Sequence, residues 1–120
     1  MTDHIAERVR ILREAFTAHP ELSRAEDAAV TVRPRDGLHF RATDATGRHV
    51  DTDMPADIGG QDRGMTPGTL LRAALGTCDA TTIALEAAAR GIELSQLEVD
   101  VCSTSDHRGL LGIDVTVEIA

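Results

Sequence analysis

The sequence predicts an α+β domain in which antiparallel strands are organised around one long, alanine-rich helix. Three observations carry that expectation. Apolar residues recur at helical spacing over residues 3–17; the period changes to two from Ala28 to Met54; and an unbroken stretch from Thr66 to Arg90 reads as helix before alternation resumes at Leu97. The order is helix, three strands, long helix, two strands, with no internal repeat and no low-complexity segment. A chain of 120 residues suits a single domain spanning 1–120.

In the first element Ile5, Val9, Leu12 and Phe16 form one apolar stripe, while Glu7, Arg8, Arg10 and Glu14 occupy other faces. Pro20 ends it, and His19 to Asp27 reads as a connection, so residues 1–27 form a helical extension. Strands are expected within 28–54. Ala28, Val30 and Val32 alternate with polar or small neighbours, Asp36-Gly37 supplies a hairpin turn, and Leu38, Phe40 and Ala42 alternate with His39, Arg41 and Thr43. A turn at Thr46-Gly47 leads to a third strand, with Val50, Thr52 and Met54 opposite His49, Asp51 and Asp53. Residues 55–65, PADIGGQDRGM, have no period and form a loop of a length that is usually mobile or functional.

Thr66 has the character of an N-cap with Pro67 at the first helical position, and Gly91 is a natural stop, giving a central helix over 66–90. Its length is about 36 Å. Its polar stripe, Arg72, Asp79, Glu86 and Arg90, is narrow, so protein is expected to cover most of its circumference. Strands are expected again within 97–119: Leu97, Val99 and Val101 alternate with Glu98, Asp100 and Cys102, a polar loop STSDHRG follows, and Ile113, Val115, Val117 and Ile119 alternate with polar residues.

Composition narrows the functional classes. Apolar residues make up 42% of the chain but aromatics only 2%, so the core must come from leucine, isoleucine and valine packed on small residues, and self-association is an expected way to add buried area. A net charge of -8 without a dense basic cluster argues against nucleic acid as a partner. The start, MTDHIAERVR, lacks the apolar stretch of a secretory signal, and no segment approaches the roughly 20 apolar residues of a membrane span. A cytoplasmic location without membrane contact is expected. Two cysteines in a reducing compartment read as thiols, and they are too few for a cysteine-based metal site.

Cys78 is the first candidate for chemistry. It lies inside the long helix, beyond the reach of the N-terminal dipole, so holding it as a thiolate requires a cation brought in by the fold; without one it is a small buried hydrophobe. His4, His19, His39, His49 and His107 form no metal-binding spacing, and the polar strand faces carrying His39, Arg41, His49, Asp51 and Asp53 read as solvated; no metal and no cofactor is expected. The glycines of IGGQDRG lack the frame of a nucleotide fingerprint and serve chain reversal.

The segment MTPGTLLRAALGTCDATTIALEAAARGIELSQLEVDV, preceded by a glycine-bearing loop, resembles the OsmC/Ohr family of thiol-dependent hydroperoxide reductases. Shared features are a proline opening a long helix, an Ala/Leu/Gly-rich run, a cysteine in its middle, and a G-I-x-L turn into an L-E-V-x-V strand, within a likeness extending from about Thr31 to Val117. The resemblance implies an OsmC-like fold in an intertwined homodimer with two long helices packed centrally. It also implies a peroxidase acting on small organic hydroperoxides: a thiolate attacks the peroxide and becomes a sulfenic acid, a second cysteine condenses with it, and an external thiol or dithiol reduces the disulfide. By position the reactive thiol is Cys78 and the family's arginine is Arg35, in RPRDG. The family's glutamate, after the helix-starting proline, is replaced by Gly68, and its resolving cysteine belongs to a helix after the last strands, so a short form or a piece of a longer product is expected. Cys102 is the other candidate resolving thiol. Five strand residues at about 3.3 Å bring it back to the height of Cys78, although it shares its side with Glu98 and Asp100. Two further readings stand beside the peroxidase: a catalytically degenerate dimer that binds a small ligand or a protein partner, and one part of a larger protein that supplies the final helix.

Overall fold

A computed structural model describes residues 2–114, and the expected last strand falls largely outside them. Helix α1 spans Thr2–Ala18, followed by a single 3₁₀ turn at Pro20–Ser23 within the expected connection. Arg10 joins Glu7 (2.7 Å) and Glu14 (2.8 Å) along the outer face of α1. Strands β1 (Thr31–Asp36), β2 (His39–Thr43) and β3 (His49–Thr52) form one antiparallel sheet in the order β1-β2-β3.

The hairpin turns at Gly37 (φ +58°), where the Asp-Gly signal places it. β1 begins three residues later than alternation alone suggests, because its partner ends first: Thr31 pairs with Thr43, after which Asp44 turns the chain by accepting from the N–H groups of Thr46 and Arg48. The ladder is regular through Pro34↔Phe40 and resumes at Asp36↔His39, leaving Arg35 as the extra residue of a bulge.

The loop after β3 is tied down. Asp53, expected on a solvated strand face, is instead only 2% exposed. Its carboxylate accepts from the backbone N–H groups of Met54 (2.8 Å), Gln61 (3.3 Å) and Arg63 (3.3 Å). Burial pushes this carboxyl up, but those three donors and the Arg63 charge outweigh burial and hold it below the ordinary aspartate value. Gly60 is required here, since a Cβ on it would fall 1.8 Å from the Met54 carbonyl oxygen.

Helix α2 spans Pro67–Ala89. The Thr66 hydroxyl accepts from the Thr69 N–H, and Gly91 (φ +67°) closes the far end as Ile92 N–H donates to Ala87 O (2.8 Å) and Gly91 N–H to Ala88 O (3.1 Å), a Schellman arrangement. α1 packs on the C-terminal half of α2, with Arg13 bridging Glu86 at 2.8 Å, and the buried apolar residues among those described are Ala87 and Ala88.

The expected strand at Leu97 is not realised among the described residues. The segment runs back along α2 without ladder bonds: Val101 approaches Gly76 so closely that a Cβ there would sit 3.2 Å from Val101 Cγ2, and Arg72 Nη1 donates to Ser103 Oγ at 2.9 Å. Period-two patterning makes a strand only when a second strand supplies the other half of the ladder. The STSDHRG loop contains one helical turn, α3 (His107–Leu110), capped by Asp106.

Coverage of α2 is correspondingly incomplete. Leu71, Leu75 and Leu85 are 72%, 53% and 43% exposed. The chain exposes 9891 Å², against about 6,300 Å² for a compact monomer of its mass, and its radius of gyration is 19.5 Å where about 14 Å is usual.

Candidate functional site

Cys78 is the twelfth residue of α2, about three turns from its start and beyond the region where the helix dipole acts. It is an exposed free thiol. Helical spacing places it on one face with Leu71, Ala74, Leu75, Thr82 and Leu85, and its carbonyl accepts from Thr82 Oγ1 at 3.0 Å. Within one chain the face that carries the thiol is uncovered, which leaves the expected covering of that face to a partner helix or a second subunit. No hydrogen bond reaches the Cys78 sulfur among the described residues.

Arg35 is exposed at the β1 bulge, the kind of irregularity that re-aims a side chain out of the ladder. It makes no ion pair among the described residues, and the sheet does not pack extensively on α2 within the chain. The two residues that the resemblance assigns to chemistry are thus not brought together by a single chain. Cys102 is also an exposed free thiol. Its neighbour Val101 faces Gly76, two residues from Cys78 and about 200° around the helix, so the 97–103 segment lies along the side of α2 away from Cys78.

The strongest electrostatic arrangement lies on the sheet. Asp51 accepts from Arg41 Nε (2.7 Å) and Arg41 Nη2 (3.0 Å), and pairs with His39 Nε2 at 2.9 Å. Arg41, then His39, hold the Asp51 carboxyl well below the usual carboxylate range. Arg63 extends the network by reaching Asp36 (3.0 Å) and His39 Nδ1 (3.3 Å), which ties the 55–65 loop to the hairpin. A donor at Nδ1 and a carboxylate at Nε2 suit the neutral Nε2–H tautomer of His39. The sequence pattern gives His39, Arg41 and Asp51 as parts of solvated strand faces; the register sets Arg41 opposite Asp51, so the two polar faces meet as an ion pair. No group of His, Cys, Asp or Glu suited to holding a metal occurs among the described residues, and no helix is long and apolar enough to cross a membrane.

These features define a class first: an α+β domain with a small antiparallel sheet and a solvent-facing thiol midway along its longest helix. The family model described as OsmC-like protein matches residues 59–120, just over half the chain, and the chain belongs to the OsmC-like family. Its fold is also similar to the crystal structure of a Psychrobacter arcticus 273-4 protein provisionally named as an osmotic stress induced and detoxification response protein. That likeness has a TM-score of 0.53 at 23% identity over 60% of this chain, and the match spans 53% of the neighbour's length. No curated protein matches the chain.

Proposed function

We propose that this chain is a subunit of a homodimeric thiol peroxidase that reduces organic hydroperoxides through Cys78. The observation that carries this reading is an exposed thiol on α2 at the position of the family's reactive cysteine, inside the segment matched by the family model. The neighbour's name, with its reference to stress and detoxification, points the same way. The Cys78 thiolate attacks one peroxide oxygen, the O–O bond breaks, and the leaving alkoxide takes a proton to depart as an alcohol, leaving a sulfenic acid on sulfur. Condensation with a second thiol releases water and forms a disulfide, which an external thiol or dithiol reduces. Cys102 is the other free thiol among the described residues, but its segment runs along the side of α2 away from Cys78, so it serves as that second thiol in this reading only if the segment moves or the partner subunit supplies it.

Arg35 is the cation proposed to hold the thiolate, and because the single chain leaves it apart from Cys78, it acts in this reading from the partner subunit. The exposed apolar face around Cys78 is the surface on which the second copy packs. Intact mass after a small molar excess of cumene hydroperoxide tests the reading. Rapid gain of one oxygen, or loss of two hydrogens, that disappears in Cys78→Ala supports it; slow oxidation equal in both proteins refutes it. One observation favours the second reading, a degenerate binding protein: Gly68 stands where the family places the glutamate that holds its arginine. Under that reading Cys78 is unreactive and the dimer persists.

A further inference from the structure

We infer that a pocket at the start of α2 binds a small organic carboxylate, with Arg72 as its anchor. The pocket has a volume of about 320 Å³, at the small end of the range for ligand sites. It lies between the loop after β3, the first turns of α2 and residues 105–110. Met54, Pro55, Ile58 and Leu110 make much of its wall apolar, and Arg72 supplies the cation.

Arg72 is unusual among the arginines of this chain. Six of them, at 10, 13, 41, 63, 90 and 108, have carboxylate partners. Of the rest, Arg8, Arg24, Arg33, Arg35 and Arg48 are exposed to water, whereas Arg72 is half-buried and has no carboxylate within ion-pair distance among the described residues. It is held by two neutral hydroxyls: Nη1 donates to Ser103 Oγ (2.9 Å) and Nη2 to Thr69 Oγ1 (3.1 Å). Three of its five N–H donors remain, and a half-buried guanidinium without a counter-charge is a costly arrangement that an incoming anion relieves. Residue 68, on the same wall, is glycine and brings no side chain of its own into the pocket; a Cβ there would lie at ordinary contact distance, 3.6 Å, from Arg72 Nη1.

A carboxylate suits the site better than phosphate. The remaining guanidinium donors match a planar, two-oxygen acceptor. Asp106, on the same wall and paired with Arg108 at 2.5 Å, repels a dianion more than a monoanion. The apolar wall accepts a short hydrocarbon body. This inference does not rest on the peroxidase reading, since Arg72 precedes Cys78 by six residues and points about 120° away from it around α2.

Titration calorimetry of the full chain with hexanoate and 1-hexanol tests it, with inorganic phosphate as the third titrant. Hexanoate is expected to bind with a Kd on the order of 1 mM, with 1-hexanol and phosphate at least about tenfold weaker. Arg72→Gln is expected to weaken hexanoate at least about tenfold. Gly68→Glu places a carboxylate one turn before Arg72, so it should abolish hexanoate binding while raising Tm, and it decides the matter if Arg72→Gln does not fold. Failure of hexanoate to bind, equal binding of 1-hexanol or phosphate, or unchanged binding in Gly68→Glu overturns the assignment.

Discussion

Leu75→Glu tests the proposed subunit contact where the chain is least covered. Leu75 lies one turn before Cys78 and is 53% exposed in the single chain. Full burial of a leucine side chain stabilises by about 1.5–3 kcal/mol, so covering the exposed half contributes roughly 0.8–1.5 kcal/mol per copy. A two-fold contact contains the position twice, giving about 1.5–3 kcal/mol for the dimer, or roughly a 10- to 150-fold rise in the dimer Kd. The introduced charge, left unpaired in the contact, adds to that figure. Because residue 75 faces solvent within one chain, helicity by circular dichroism should be unchanged. Sedimentation equilibrium over a range of concentrations reads the result directly. The excess of about 3,600 Å² over a compact monomer leaves ample surface for a standard or larger contact, so the unaltered protein should sediment as a dimer of 12.8 kDa chains at micromolar concentration. A monomeric unaltered protein, or a Leu75→Glu protein with the same dimer Kd, refutes the assignment of this face.

Two further outcomes follow from local structure. The Asp51 carboxyl is held low by Arg41 and His39, so its stabilising contribution is present above the unfolded-state value of about 3.9 and is lost as pH falls toward the folded value; Asp51→Asn should therefore make the decline in Tm between about pH 5 and pH 2 shallower. Thr66→Ala removes the hydroxyl that accepts from Thr69 N–H and should destabilise by about 1 kcal/mol, read as a fall in Tm of roughly 3–6 °C in a thermal scan.

Features governed by neighbouring residues were legible in the sequence. Thr66-Pro67 and Gly91 bound α2 because caps act within a few residues, and Asp36-Gly37 turns the hairpin for the same reason. Features that need a distant partner were not. Asp53 has the pattern of the polar side of a strand because the N–H groups that donate to its buried carboxylate, those of Gln61 and Arg63, come from a loop without periodicity. The alternation from Leu97 to Cys102 gives which side faces α2, as Val101 against Gly76 shows, but not a second strand for its backbone. Arg72 belongs to the polar stripe of α2 in the sequence, and nothing in the pattern shows that it lacks a carboxylate partner, the residue one turn before it being Gly68. Cys78 and Arg35 both stand out as candidates by position, whereas how they would meet does not, since Arg35 sits on a bulge of a sheet that does not pack extensively on α2 among the described residues.

That separation makes the proposed site divisible between two chains. If the thiol comes from one subunit and the guanidinium from the other, Cys78→Ala and Arg35→Gln proteins are each inactive for different reasons, and each supplies what the other lacks. Mixing them in equal amounts under conditions that exchange subunits makes about half the dimers mixed. Each mixed dimer holds one complete pair, the thiol of the Arg35→Gln chain with the guanidinium of the Cys78→Ala chain, and one site lacking both. Activity should therefore recover to about a quarter of the unaltered value from two inactive proteins. A site built within one chain would show no recovery, and a reactive Cys78 that needs no arginine would leave Arg35→Gln active before mixing. Either result removes Arg35 as the partner subunit's contribution. Adding Leu75→Glu to both chains should suppress the recovery at concentrations where the contact no longer forms, so activity of the mixture becomes a readout of the same surface that sedimentation measures.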